Sequence, residues 1–207
     1  MLMSEWWKKY TAGEIRKDYD GNYGVQCVDT ANSFAEYVLG FGKGVFFGVR
    51  YAKDIFDIHN KKLFIAEKNG KHNYPDKGNL VIWNRGTAGH IAVVVEADEH
   101  NITVLESNFD GKGSTRQHTY TNYNNVVGWL IPYKMVNIPK GTGLMCFNHR
   151  FKDIQKLYDM SNINRYYINN HTIRISGTDE EYTQIRGVDF TGTNKYINMY
   201  VVSKFLK

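Results

Sequence analysis

The chain has 207 residues, enough for one medium domain or one with a small companion, and its 15 Tyr, 11 Phe and 4 Trp supply a packed core. No apolar run approaches the roughly 20 residues that span a bilayer, and the start, Met1-Leu2-Met3-Ser4-Glu5, lacks the basic-then-apolar pattern of a signal peptide. The net charge of +5 is uneven, with 16 basic against 15 acidic residues over 1–139 and 10 against 6 over 140–207.

That asymmetry points the C-terminal part towards an anionic partner, such as a bacterial wall polymer or nucleic acid, or else marks an ordinary solvated surface. No block of consecutive basic residues marks a nucleic-acid arm, so neither nucleic acid nor a membrane is expected as a partner. Two cysteines, Cys27 and Cys146, are too few for a disulfide framework. Cys146, in Leu144-Met145-Cys146-Phe147, reads as a buried small hydrophobe.

In chain order, residues 4–10 form a short helix in which Trp6 and Trp7 cap a core. Residues 18–29 then place three carboxylates and a cysteine within twelve positions. Asp18 and Asp20 flank a turn at Gly21, which is how oxygen ligands are curled around a hard cation such as calcium. The competing reading is a tight Asx-turn without metal, with Asp29 capping a helix. The loop is not an EF-hand, because no Glu stands at its twelfth position.

From Cys27, the residues Ala31, Phe34, Ala35, Val38 and Leu39 recur at helical spacing, and Gly40 and Gly42 stop the helix. Cys27 therefore sits at a helix N-terminus, whose partial positive charge favours a thiolate, on the same face as Ala31. Residues 40–48 are a Gly-rich loop, 51–59 a second short helix, and 60–79 a polar stretch with turn chemistry at Pro75-Asp76-Lys77-Gly78. Strands follow at 80–83, 90–97, 102–106 and 126–131, separated by turns at Arg85-Gly86, Asp98-Glu99 and 110–113. Helices first and antiparallel strands after make an α+β fold.

Pro132 and Pro139 bracket a linker, which divides the chain into a domain over 1–136 and a second over 140–207. In the second, 152–160 reads as a helix and 165–206 as mostly β, with turns at Ser176-Gly177, Gly187 and Thr191-Gly192-Thr193. Tyr166, Tyr167, Tyr182 and Tyr196 suit either a recognition face or a core.

The chemistry lies in Cys27, His90, Glu106 and Asn108. A thiol nucleophile needs a base, and the base needs a group to orient it. His90 opens one strand and Glu106 ends the next, so antiparallel pairing about the turn near 98–101 brings them side by side. Glu106 and Asn108 then share a strand face by period two. His59, His72, His100, His118, His149 and His171 all stand in polar or turn-like contexts, where exposure is the default. Spacing alone leaves catalysis open, since a lone Cys and a lone His co-occur in most proteins.

Four segments in order add to this: 18–29 (Asp-Tyr-Asp-Gly-Asn-Tyr-Gly-Val-Gln-Cys-Val-Asp), 75–83 (Pro-Asp-Lys-Gly-Asn-Leu-Val-Ile-Trp), 89–94 (Gly-His-Ile-Ala-Val-Val) and 105–108 (Leu-Glu-Ser-Asn). Together they resemble the CHAP family of cysteine, histidine-dependent amidohydrolases/peptidases, over about residues 5–133. Within it they look most like bacteriophage endolysins, which cut peptidoglycan. The resemblance implies a papain-like fold, with Cys27 as nucleophile, His90 as base, Glu106 as its orienter and Asn108 as a fourth polar member. Gln26, beside Cys27, is a weaker candidate for binding an oxyanion.

The resemblance also implies calcium, held by side-chain oxygens of Asp18, Asp20 and Asp29 and main-chain carbonyls of Asn22 and Gly24. Residues 198–206 resemble the closing strand of bacterial SH3-type wall-binding domains. The expected protein is a peptidoglycan hydrolase cleaving an amide of the wall peptide of Gram-positive bacteria, made in the host cytoplasm and released to the wall by a separate lysis event. The alternatives are a catalytically silent wall-binding or virion structural protein of the same fold, and an intracellular amide-forming or deubiquitinating cysteine enzyme.

Overall fold

A computed structural model describes residues 1–137 and, beyond them, strands at 144–147, 165–168, 172–178, 182–188 and 197–202. The chain divides into two compact units, Met1–Pro132 and Tyr133–Lys207.

The first unit begins with helix α1 (Met3–Thr11) and helix α2 (Cys27–Phe34). The second helix runs on through a wider π-type turn, Ala35–Leu39, and stops at Gly40, whose φ of 67° is left-handed and suits a residue without Cβ. The single helix expected over 27–39 is thus present, with its last turn loosened. Trp6 and Tyr10 of α1 are fully buried against α2. Trp6 Nε1–H donates to Ser33 Oγ at 3.0 Å, and the Tyr10 and Thr30 hydroxyls bond at 2.8 Å. Large rings thereby pack while their polar atoms stay satisfied. Trp7 is only partly buried. A 3₁₀ turn, Ala52–Asp54, and a short helix α3 (Ile55–Ile58) fill the region read as the second helix.

Six strands follow: β1 (Phe64–Lys68), β2 (Leu80–Trp83), β3 (His90–Ala97), β4 (Ile102–Ser107), β5 (Thr115–Tyr120) and β6 (Val126–Asn137). In this unit they pair antiparallel in the order β5-β4-β3-β2-β6-β1. Alternation sends Leu80, Ile82, Ile91, Val93, Leu105 and Leu130 towards the helices. Val81, Trp83, Ala92, Val94, Val104, Trp129 and Ile131 form a second cluster on the opposite face.

The register between β3 and β4 shifts once. Ala97 pairs with Ile102 and Glu96 with Thr103, but Val94 pairs with Val104 and Val93 with Leu105, leaving Val95 as a bulge.

Two strands escaped the sequence reading, and both lie at sheet edges. β1 falls within the stretch taken as merely polar, with Phe64 buried and Lys68 exposed. β5 reads Thr-Arg-Gln-His-Thr-Tyr, without an aliphatic residue. An edge strand faces water on one side and is commonly polar, which removes the apolar signal that marks central strands.

In the second unit all the described residues are strand. Residues 133–137 pair with β9 (Thr172–Thr178), which pairs with β10 (Tyr182–Val188), then β11 (Ile197–Val202), β7 (Leu144–Phe147) and β8 (Arg165–Ile168). Ser176 and Gly177, expected in a turn, lie inside β9. Gly187 lies inside β10, within the interval where its register with β11 shifts, so the glycine marks an irregular strand rather than a reversal. The helix expected over 152–160, the turn at 191–193, Tyr196 and the side chains of Cys146, Tyr166, Tyr167 and Tyr182 fall outside the described residues. Among the described residues, no helix is long and apolar enough to cross a membrane.

Candidate active site

Cys27 is the first residue of α2 and is buried, with 8% of its surface exposed. Its placement follows from the helix start. Gln26 is extended, and the Asp29 carboxylate reaches back to accept the Gln26 N–H at 2.8 Å, closing a capping arrangement on the first turn.

His90 is the first residue of β3 and Glu106 the fifth of β4, and both are buried. His90 Nε2 lies 2.8 Å from Glu106 Oε2. Burial works to lower the imidazole pKa, but hydrogen bonds with Cys27 and Glu106 outweigh it and push it up to about 9. With Nε2 taken by the carboxylate, Nδ1 is the ring nitrogen left for the thiol. Thiol, imidazole and carboxylate thus form one chain, as expected from the strand pairing.

Glu106 has more partners than the sequence suggested. Arg116 Nε donates to its Oε1 at 2.7 Å, and the Tyr120 hydroxyl lies 3.1 and 3.0 Å from its two oxygens. Burial alone would raise its pKa, yet the bonds from His90 and Arg116 hold it below the usual value. Trp83 packs against both the His90 and Tyr120 rings, at centroid distances of 5.7 and 5.2 Å. The Arg116 guanidinium in turn stacks 3.5 Å from the centroid of Phe109. The available signal for Arg116 and Tyr120 was their period-two spacing in β5 and the register that sets Arg116 directly opposite Glu106.

Asn108 is placed differently from the expectation. β4 ends at Ser107, and Asn108 has a φ of 55°, so it leaves the strand instead of sharing the face of Glu106. Its Oδ1 accepts the Gly113 N–H at 2.9 Å and its own N–H donates to the Ser114 carbonyl at 2.8 Å, closing a tight loop. It borders an open cleft of about 480 Å³ together with Gln26, Val25 and Tyr23. Of the other histidines, His59 bonds the Phe56 carbonyl and His72 pairs with Glu99 on the surface, while His149 and His171 lie outside the described residues.

Asp18, Asp20 and Asp29 converge, each offering an oxygen within 4.8 Å of the others. Backbone turns bring them there: Asp18 Oδ1 accepts the Gly21 N–H at 2.7 Å, and Asp20 Oδ1 the Asn22 N–H at 2.8 Å. Asp29 Oδ1 accepts the Tyr19 N–H at 2.9 Å. Burial raises the Asp29 pKa, the bonds from Gln26 and Tyr19 oppose this, and the nearby charges of Asp18 and Asp20 add to it. Three hard oxygen donors so close together fit a hard cation. Asn22 and Gly24 lie in the same loop, Gly24 with a left-handed φ of 71°.

Comparison with known proteins shows what this chain is similar to. Residues 16–108 match the model of the CHAP domain. Endolysin PlyTW of Staphylococcus phage Twort is 33% identical over 124 residues, covering 53% of this chain and 26% of that protein. The chain thus spans about a quarter of the length of this curated relative. Among solved structures, Ly7917 superposes with a TM-score of 0.45 at 18% identity, over 98% of this chain and 92% of that one. A crystal structure of Ly7917 with the hydrolyzing product of MDP gives 0.44 at 18% identity, over 90% and 85%. Wild-type endolysin LysIME-EF1 gives 0.43 at 17% identity, over 87% and 78%.

Proposed function

We propose that this chain is a peptidoglycan hydrolase of the endolysin kind, cleaving an amide bond of the wall peptide of Gram-positive bacteria, a reading supported by the match of residues 16–108 to the CHAP domain model. The observation that carries this reading is the buried chain from Cys27 through His90 to Glu106.

In the proposed reaction Cys27 reacts as a thiolate whose proton is held on the His90 imidazolium, and the thiolate attacks the amide carbonyl carbon. The Cys27 N–H, one of the unpaired donors of the first helical turn, is available to the developing oxyanion. The C–N bond breaks, and the His90 imidazolium gives its proton to the departing amine. Water then attacks the thioester with His90 as base, releasing the acid and restoring the thiol. Glu106 keeps Nε2 engaged throughout, so the ring presents its other nitrogen to the sulfur and to the leaving amine. Arg116 and Tyr120 keep that carboxylate ionised and fixed.

The same reading includes a calcium ion held by Asp18, Asp20 and Asp29, with main-chain carbonyls of Asn22 and Gly24 completing the set. When bound, the ion supplies structure by removing the repulsion among three carboxylates. Asp29 lies two residues past Cys27, so ordering the loop steadies the helix start that presents the thiol. Residues 140–207 are read as a wall-binding part, on the strength of their excess of basic residues.

The test is lysis. Purified wild-type protein should clear a suspension of Gram-positive cells, and Cys27→Ser and His90→Ala should each lose at least about a thousandfold of that rate while keeping the wild-type melting profile. Full activity in a folded Cys27→Ser protein would overturn the cysteine mechanism.

A further inference from the structure

The cleft lined by Gln26, the residue that precedes Cys27, has two walls. One is Arg16 with the loop Tyr23, Gly24, Val25 and Gln26, and the other is Asn108 with Gly111, Lys112 and Gly113. The walls meet where a side chain on Gly113 would come within 3.6 Å of the Val25 carbonyl. The cleft volume of about 480 Å³ lies in the range of small-molecule sites, about 300–1,000 Å³.

Each wall carries one cation, and both are solvent-exposed. Neither the Arg16 guanidinium nor the Lys112 ammonium is in an ion pair among the described residues. The nearest acid in sequence to Lys112 is already engaged: Asp110 Oδ1 accepts the Lys112 backbone N–H and its Oδ2 the Ser114 hydroxyl. The loop is therefore held in shape by its own bonds, with the ammonium left over. Tyr23 stands at the same cleft with 95% of its surface exposed and a left-handed φ of 65°. A large ring held out in this way offers a face for a ligand to cover.

We propose that Arg16 and Lys112 form a carboxylate-recognition subsite, so that the preferred substrate is an acidic peptide carrying a free carboxylate close to the amide that Cys27 attacks. This rests on the hydrolase reading above and deepens it. Two cations on opposite walls select for a single negative charge between them, and a neutral carboxamide of the same shape forgoes both attractions.

The experiment compares kcat/KM of the full chain on a soluble wall stem peptide in two forms, with its carboxylates free and with them converted to carboxamides. The wild type should favour the free acid by about fivefold, chiefly through KM, the size that two solvent-accessible ion pairs give. R16Q and K112Q should each shrink that ratio, the double variant should bring it close to one, and R16K should keep it. High salt should collapse the ratio in the wild type itself, a readout that needs no substitution. Equal kcat/KM for the two forms, or a ratio untouched by R16Q and K112Q, overturns the subsite and leaves the hydrolase reading standing. Cleavage of neither form by a wild type that also fails to clear cells overturns both.

Discussion

The imidazole of His90 and the carboxylate of Glu106 meet at 2.8 Å with side chains only 4% and 0% exposed. They lie sixteen residues apart, on neighbouring strands. An ionised pair withdrawn from water in this way costs desolvation that only complete hydrogen bonding offsets. The bonds of Glu106 to Arg116 and Tyr120 supply the remainder.

That arrangement predicts the cost of removing the carboxylate. Glu106→Ala should destabilise the fold by about 3 kcal/mol, because it strands its buried imidazole partner. Glu106→Gln should be milder in stability and should lower kcat/KM by about a hundredfold less than loss of the nucleophile does. Denaturant titration and rates of cell clearing measure the two effects. A Glu106→Gln protein with wild-type rates would remove the orienting role.

The raised pKa of His90 sets a pH window. A group whose folded pKa lies above its unfolded value stabilises the fold fully below the unfolded value, here 6.5, and that contribution is lost as pH rises through about 9. Glu106 acts at the other end. Its folded pKa lies below 4.5, so its contribution is present above that value and is lost as pH falls beneath it. Melting temperature should therefore hold a plateau between about pH 4.5 and 6.5, decline through about 9 on the alkaline side and fall on the acid side. In His90→Ala the alkaline fall should shrink, and an unchanged alkaline limb would assign it to other groups.

The calcium reading is tested by chelation. A ligand bound only to the folded state stabilises it by about 2.7 kcal/mol at a hundredfold excess over Kd. EDTA should lower both melting temperature and lytic rate, and calcium should restore them. Magnesium should restore them poorly, because it demands tighter octahedral geometry. Asp20→Ala should behave like the chelated protein and ignore added calcium. Calorimetry that detects no heat of calcium binding would reduce the loop to a turn that caps α2.

A fragment of residues 1–139 tests the division of labour. It should fold, since the helices and six strands of Met1–Pro132 enclose their own clusters. It should bind intact cells more weakly than the full chain. Equal binding in a cell-sedimentation assay would remove the wall-binding role from residues 140–207.

The sequence disclosed those parts of the site that depend on period and pairing. Cys27 at a helix start, and His90 against Glu106 across a hairpin, follow from alternation and turn position. Asn108 did not follow, because period two holds only while the chain stays extended, and its left-handed φ ends the strand one residue earlier. Arg116 and Tyr120 were hidden for another reason. They sit on an edge strand that lacks aliphatic residues, and only the register to β4 reveals that one of them faces Glu106. The three aspartates were visible as a cluster, but their convergence depends on turns made by backbone N–H groups.

The bulge at Val95 has a consequence for how the His90–Glu106 pair exists at all. The observed register, continued one step from Val93 opposite Leu105, sets Ala92 beside Glu106, and Ala92 shares a face with His90. Were Val95 paired in the ladder instead of bulging, the pairing of Ala97 with Ile102 would continue so that Val93 stood opposite Glu106. The carboxylate would then emerge on the helix side of the sheet while the imidazole stayed on the other. The register beyond Val95 is thus a parity condition on this chemistry. Deleting Val95 should therefore straighten the ladder while leaving Val94 opposite Val104 and Ala92 beside Glu106, so the deletion variant should keep base and orienter together and keep its lytic activity.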